Sequence, residues 1–192
     1  MPAPNPAAMD FLLGRRSRPA KTLAGPAPDR EALLPILTAA ARTPDHGKLE
    51  PWRFVVLQRA ALDRLALAAG ERGAALGLAA DVADKGRKQF ADSPLCVAVI
   101  ESPKDSPKVP RIEQTYSAGA VCLALVNAAL ASGWGANWLT GWIAEDRDFV
   151  EGVLGLAPQE RIAGFVHLGK ETSAPPDRPR PDLDAIVTWV SE

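Results

Sequence analysis

Apolar residues recur at helical spacing in four parts of the chain. In residues 29–41 they return every three or four positions, which predicts a helix with Asp29 as its cap. Residues 60–80 are rich in alanine and leucine and predict a second helix interrupted by glycines, and residues 82–90 predict a third. Residues 117–132 are apolar over most of a helical circumference, so we expect a helix buried on more than one side.

Shorter and more continuous apolar runs lie between these helices. Residues 53–57, 95–100 and 161–168 are typical of strands. The first of them follows Pro51-Trp52 and has no alternation of polar residues, which predicts a central strand rather than one with a solvated face. The glycine-punctuated residues 133–142 are also strand-like.

Length and charge exclude several classes of protein. A chain of 192 residues, 47% hydrophobic, is long enough for one sizeable core. The formal net charge is −1 and no block of lysine and arginine resembles a nucleic-acid-binding tract. The longest apolar stretch, 118–131, is interrupted by Asn127 and is shorter than the roughly 20 residues that span a bilayer, so we expect no membrane segment.

Proline positions predict the domain organisation. Of the 18 prolines, 11 fall in residues 1–35 and 172–181, where extended arms are favoured. Residues 1–8 lack the features of a secretory signal and are expected to form a disordered arm. Residues 9–192 are expected to form a single domain that includes a C-terminal arm, 172–192.

The two cysteines and two histidines predict no metal site. Cys96 and Cys122 lie among apolar neighbours, as buried reduced thiols of a cytoplasmic protein do. Neither His46 nor His167 has a cysteine nearby that would complete a zinc site. We interpret His167 as structural.

A basic and hydroxyl cluster follows the first apolar run. Arg15, Arg16 and Ser17 suit a phosphate monoester, because guanidinium groups match phosphate oxygens in pairs and serine adds a neutral donor. The alternative is an ordinary solvated basic turn.

A second polar segment follows the helix predicted at 29–41. Pro44 cannot continue that helix, so Arg42 and His46 are expected on a loop that runs extended to Pro51-Trp52.

The tryptophans of residues 133–142 also admit two interpretations. Glycine lets a backbone approach a flat ligand closely, so this stretch could line a binding site. A dense tryptophan cluster is more often part of a core than of a cofactor site, and we interpret Trp134 and Trp142 in that way.

In their order and spacing these motifs resemble the FMN-dependent nitroreductase family, and specifically its small, single-domain branch. The resemblance covers nearly all of residues 9–190. It is carried by Arg-Arg-Ser at 15–17, Arg-Thr-Pro-Asp-His at 42–46, Pro-Trp at 51–52, Lys-Val-Pro-Arg at 108–111, Glu113-Gln114, the stretch 133–141 and the segment 161–169.

The resemblance implies a fold, a cofactor and an assembly. The fold is α+β, a three-layer arrangement with a mostly antiparallel central sheet flanked by helices. The assembly is an intertwined homodimer with the flavin at the subunit boundary and an exchanged C-terminal arm. The cofactor-binding residues implied are Arg15, Arg16, Ser17, Arg42, His46, Trp138, Leu139, Thr140 and Arg180.

The activity implied is an FMN-dependent oxidoreductase. It would take a hydride from NADH or NADPH and pass electrons to a nitroaromatic, quinone or similar flat acceptor in a ping-pong mechanism. No protein nucleophile is expected, because the cofactor carries the chemistry. The chain has Pro19 where many larger relatives have a lysine against the flavin ring, which affects acceptor choice and redox tuning.

Two alternative functions, neither of them catalytic, stay open. The chain could hold FMN without turnover, as a store or sensor, or it could be a dimer without cofactor that serves an interaction role. Arg15, Ser17, Arg42 and His46 argue against the latter.

Overall fold

One antiparallel sheet with helices on both faces forms the centre of the molecule. The computed structural model describes residues 3–192. The strands are β1 (Leu23–Ala24), β2 (Trp52–Leu57), β3 (Leu95–Glu101), β4 (Gly135–Leu139) and β5 (Arg161–Glu171). The helices are α1 (Pro6–Gly14), α2 (Arg30–Ala40), α3 (Arg59–Ala75), α4 (Ala80–Ala91), α5 (Arg111–Ala131), α6 (Trp142–Glu145), α7 (Arg147–Gly152) and α8 (Leu183–Ile186).

β5 is the strand around which the sheet is organised. β3 pairs along its length with the first part of β5. β4 pairs with the second half of β5, and β1 pairs with the last two residues of β5. β2 pairs with β3 at the outer side. All four pairings are antiparallel, so the α+β fold with an antiparallel sheet is confirmed.

Each face of the sheet has its own apolar core. On one face α2 and α5 pack on the strands through residues such as Ile36, Val121 and Leu125. On the other face α3 packs with α6 and α7 around Phe90, Phe149 and Phe165. Alternation along the strands separates the two cores, because successive side chains of a strand point to opposite faces.

The helix predicted at 29–41 is present, and its ends have local causes. Asp29 Oδ1 accepts a hydrogen bond of 2.9 Å from the Ala32 N–H and caps the helix. Leu33, Ile36 and Ala40 are its buried residues, at the spacing that predicted it.

The prediction that β2 is a central strand is wrong. Within the described residues β2 pairs only with β3 and lies at an edge of the sheet, and Val56 is 38% exposed. An edge strand that also packs against a helix can be as continuously apolar as a central one, so composition alone did not distinguish the two.

α5 begins at Arg111, six residues before the predicted start. Its polar first turns concealed the beginning, because they contribute little to an apolar pattern. α5 is 21 residues long and contains an 18-residue window with a mean hydropathy of 1.3, so it meets the length and composition criteria for a membrane span. Its residues Val121, Cys122 and Leu125 are fully buried against the sheet, which is typical of a core helix.

The expectation of a disordered arm through Ala8 is wrong for residues 6–8, which belong to α1. Asn5 Oδ1 accepts a hydrogen bond of 3.1 Å from the Ala8 N–H and caps this helix. Residues 1 and 2 lie outside the described part of the chain. At the other end, residues 172–192 have no regular secondary structure apart from the single turn of α8, and the exchange of this arm between subunits stays a prediction.

Candidate functional site

The segment Arg15–Arg18, called here the basic segment, is attached to the sheet beside β4. The Arg18 N–H donates a hydrogen bond of 2.9 Å to the carbonyl of Ala136. The Arg15 guanidinium donates to Ser17 Oγ at 3.0 Å. The backbone contact therefore fixes the basic segment beside β4, and the side-chain contact joins Arg15 to Ser17.

Positive charge in the basic segment is only partly balanced. Arg18 lies 3.2 Å from a Glu171 carboxylate oxygen, whereas among the described residues Arg15 and Arg16 form no salt bridge. The Nε atoms of all three arginines are shielded from solvent and have no partner in residues 3–192. Burial, followed by the charges of Arg16 and Arg180, lowers the pKa of Arg15. Half-buried guanidinium groups without an anion fit a phosphate.

Arg180 reaches this region from the C-terminal arm. Its guanidinium donates to the carbonyl of Leu13 at 3.1 Å and lies 3.5 Å from Asp177. The structure therefore brings Arg180 next to the end of α1, where the basic segment starts.

A cavity of about 780 Å³ opens between α4 and the segment that runs from β4 into α6. Its lining includes all three of the ring-lining residues implied by the resemblance, Trp138, Leu139 and Thr140. Ala20 and Lys21, a few residues after the basic segment, line the same cavity. The structure therefore places the two predicted groups at adjacent positions.

Glycines allow the tryptophans of this region to pack closely. Trp138 lies on Gly164, where an added Cβ would be 2.0 Å from the indole nitrogen, and its Nε1–H donates to the Ala163 carbonyl at 3.2 Å. Trp142 lies in the same way on Gly86. Trp142 is partly buried against a core cluster, as is Trp134, in agreement with their interpretation as core residues.

Gly135 has a role other than ligand approach. A Cβ there would be 2.5 Å from Leu23 Cδ2 and 3.1 Å from the Gly169 carbonyl, and Gly135 does not line the cavity. This glycine lets β1 and β5 approach β4.

Residues 43–52, called here the proline loop, lie on α5. Ser117 Oγ donates to the Pro44 carbonyl at 2.9 Å and accepts from the Trp52 indole N–H at 3.1 Å, so one buried hydroxyl holds both ends of the loop. His46 Nδ1 lies 2.7 Å from a Glu113 carboxylate oxygen and is exposed. Lys48, at φ 54°, and Glu50, at φ 47°, adopt the left-handed conformation that favours glycine.

One chain does not bring the basic segment and the proline loop together. The basic segment is bonded to Ala136, which is opposite Leu168 of β5. The proline loop lies at the start of α5, where Thr115 donates to Glu101, and Glu101 is opposite Arg161 at the other end of β5. Seven residues of strand separate these points by about 23 Å at about 3.3 Å per residue.

Buried nucleophiles elsewhere have structural surroundings. Burial raises the pKa of both thiols, that of Cys122 to about 12. His167 is fully buried, its Nδ1 lies 2.8 Å from Ser93 Oγ, and burial lowers its pKa to about 4. Both observations agree with the structural interpretation of these residues.

Sequence reasoning missed Ser117 and Glu113 as supports of the proline loop. The signal that could have found Ser117 is a polar residue on the buried side of an otherwise apolar helix, which must have a hydrogen-bond partner. Glu113 gave no such signal, because an exposed carboxylate in a first turn is common.

Comparison with known proteins gives three consistent similarities. The chain is 35% identical over 183 residues to YdjA of Escherichia coli K12, named a putative NAD(P)H nitroreductase, covering 95% of this chain and 98% of that protein. A nitroreductase-like protein of Bacillus cereus superposes with a TM-score of 0.78 at 22% identity, covering 99% and 98% of the two chains. The FMN-dependent nitroreductase NfnB of Mycobacterium smegmatis, solved with NADPH, gives 0.75 at 18% identity over 97% and 99%.

The sequence profile of the Nitroreductase family matches residues 12–170. This range contains the basic segment, the proline loop and the cavity-lining residues described above. The chain therefore belongs to the nitroreductase family.

Proposed function

We propose that this protein is an FMN-dependent oxidoreductase that takes a hydride from NADH or NADPH and passes electrons to a flat acceptor such as a nitroaromatic or a quinone. The observation that carries the proposal is the pair of unbalanced guanidinium groups of Arg15 and Arg16 close to a cavity lined by Trp138, Leu139 and Thr140. When bound, FMN supplies the redox chemistry.

The residues present fit such a cofactor. Arg15, Arg16 and Arg180 would hold the phosphate, with Ser17 as a further donor. These three arginines form a cationic cluster in which Arg15 and Arg16 have no balancing carboxylate among the described residues. Trp138, Leu139 and Thr140 would line the ring. Donor and acceptor would reach the ring through this one cavity, which favours their alternating entry.

Arg42 and His46 would complete the site of a second copy. They lie far from the basic segment of their own chain, and Arg42 is exposed. The outward side of α5, next to the proline loop, exposes Ile112, Tyr116 and Leu123, and Gly119 has open space beside it. An apolar helix face of this kind is typical of a homodimer interface.

The C-terminal arm supports the same assembly. Ile186, Trp189 and Val190 are between 65% and 91% exposed, which is costly for an isolated chain. β2 has an unpaired edge within the described residues. We expect the arm to cross to the partner in an intertwined homodimer. A cytoplasmic location stays a prediction.

A visible spectrum followed by anaerobic mixing tests the function. The purified protein should absorb in the flavin region, and NADH or NADPH should bleach that absorbance rapidly, with recovery when a nitroaromatic or quinone is added. A flavin that neither nucleotide reduces would favour the store or sensor, and a colourless protein that does not take up FMN would favour the dimer without cofactor.

Steady-state kinetics test the order of binding. If one ligand leaves before the next enters, double-reciprocal plots at several acceptor concentrations are parallel. Intersecting lines would show that donor and acceptor bind together and would contradict the ping-pong mechanism.

A further inference from the structure

Three lysines contribute to the lining of the cavity beside β4. α4 contributes Lys85 and Lys88 to its lining, and Lys21 contributes a third ammonium group from the segment before β1. The one carboxylate among the lining residues of this cavity is that of Asp92. The rim of the cavity therefore carries three positive charges against one negative charge.

The carboxylates that accompany these lysines lie away from the cavity. Lys85 is 3.8 Å from Asp81 and Lys88 is 3.2 Å from Asp84, and neither aspartate lines the cavity. Asp84 also bonds Arg87 at 2.8 Å, so its charge is shared. Exposed ion pairs of this kind leave much of the positive potential at the cavity in place.

The inner walls are apolar and aromatic. Val82 of α4 faces the cavity together with Leu139, Trp142 and Ile143 from the opposite side. The ligand that suits this surface has a flat apolar body and a negative group that reaches the lysines at the rim. The basic segment is separate, because Arg15 and Arg16 do not line the cavity.

We propose that this cavity selects anionic ligands, through Lys21, Lys85 and Lys88, from among the flat molecules that its apolar walls admit. The proposal rests on the proposed function, since it concerns the ligands that would meet the flavin. The negative group has two possible sources, the extra phosphate of NADPH relative to NADH and a carboxylate on the acceptor. Both would meet the same ammonium groups.

A binding measurement tests the proposal independently of turnover. Trp138 and Trp142 line the cavity, so a nitroaromatic bound there should quench tryptophan fluorescence. The matched probes are 4-nitrobenzoate and 4-nitrobenzyl alcohol, which differ mainly in charge. We expect the purified protein to bind the carboxylate about 3 to 10 times more tightly at low salt, and added NaCl to reduce this preference.

Charge-reversal variants at the rim test how much the lysines contribute to this preference. Lys85→Glu and Lys88→Glu should each reduce the preference for the carboxylate by about threefold to fivefold. Arg64→Glu makes the same change in net charge at an exposed position of α3 that does not line the cavity, and should change the preference less than about 1.5-fold. Equal affinities of the two probes, or equal effects of Lys85→Glu and Arg64→Glu, would overturn the proposal.

Kinetic measurements assign the source of the negative charge. If the lysines recognise the donor, Lys85→Glu lowers kcat/KM for NADPH more than for NADH. If they recognise the acceptor, it lowers kcat/KM for 4-nitrobenzoate more than for the alcohol. Failure of both nucleotides to reduce the flavin would overturn the proposed function, whereas reduction with no charge preference in either pair would overturn this inference alone.

Discussion

The basic segment and the proline loop are both polar, yet they differ in how their side chains are satisfied. In the basic segment the backbone is anchored through Arg18 while the Nε atoms of three arginines have no partner in the described chain. The polar groups of the proline loop have partners on α5 instead. Ser117 forms hydrogen bonds with both ends of the loop, and a Glu113 carboxylate oxygen contacts His46.

This difference agrees with our proposal that the two regions contribute to one site in different ways. Unsatisfied, half-buried charge is costly unless a ligand compensates it, so the basic segment indicates a bound anion. In the proline loop these hydrogen bonds are already satisfied and Arg42 is exposed. The loop therefore does not require a ligand bound to its own subunit. The predictions below test whether the two regions meet only across a homodimer.

The largest expected effect is on assembly. If FMN contacts the basic segment of one subunit and Arg42 and His46 of the other, it binds the dimer and not the monomer. At FMN 100 times above its dissociation constant, linkage then stabilises the dimer by about 2.7 kcal/mol for each of the two sites. Sedimentation at low protein concentration, with and without FMN, measures this. Equal dimer dissociation constants would show that each chain holds its cofactor alone.

The two histidines give the next contrast. His167 is fully buried beside Ser93, whereas His46 in the proline loop is exposed. The folded-state pKa of His167, about 4, lies below its ordinary value of 6.5, so the unfolded chain binds the additional proton between these values. Up to about 3 kcal/mol of stability should be present above pH 6.5 and lost as the pH falls towards 4.

Urea unfolding at a series of pH values measures this contribution. Carboxylates such as Glu160, whose pKa the hydrogen bonds from Arg53 lower to about 2, add their own loss at lower pH. His167→Gln removes only the histidine part, so the difference between the two proteins should shrink as the pH falls from 6.5 to 4. A difference independent of pH would mean that His167 is not held neutral.

Arg15→Ala tests whether the basic segment binds FMN. Loss of a charge-assisted hydrogen bond should weaken FMN binding by about 1.5 to 3 kcal/mol, a roughly 10- to 150-fold change in dissociation constant. Titration of the protein freed of FMN, followed by flavin fluorescence, measures it. Arg64→Ala, at an exposed position of α3, is the control, and an Arg15→Ala affinity equal to that of the control would remove Arg15 from the site.

The smallest effect is expected from Ser117→Ala, which opens the proline loop at both ends. Two partly buried groups, the Trp52 indole N–H and the Pro44 carbonyl, lose their partner, so the free energy of unfolding should fall by about 1 to 2 kcal/mol. FMN affinity of the dimer should fall with it. Ser132→Ala, at the exposed end of α5, is the matched control, and identical urea midpoints for the two variants would contradict this role.

Much of the secondary structure was predictable because it depends on local periodicity. The helix of α2, the division between α3 and α4 and the strands β3 and β5 follow from apolar spacing and from residues such as Asp29. The edge position of β2 did not, because strand order is decided by pairing between distant segments. The polar start of α5 was not predicted either, because its first turns are stabilised by contacts with Lys104 and Glu101 that the apolar pattern does not show.

The candidate site divides in the same way. The types and order of the chemistry-bearing residues were set by the sequence: Arg15, Arg16 and Ser17, then Arg42 and His46, and the aromatic stretch around Trp138. The sequence did not reveal the lysines of the cavity rim as a group, because Lys21 and Lys85 are 64 positions apart and meet only when α4 packs beside β4.

The sequence by itself thus determined which local structures form and the order of the cationic and aromatic side chains that we propose for the cofactor site, since both depend on side-chain chemistry and short spacings. Only the tertiary structure decided that the basic segment and the proline loop lie at opposite ends of β5. It also decided that Gly164 and Gly86 accommodate Trp138 and Trp142, and that Gly135 allows strands to pack rather than a ligand to approach. The physical reason is that distances between segments far apart in the chain depend on how the two cores pack the helices on the sheet.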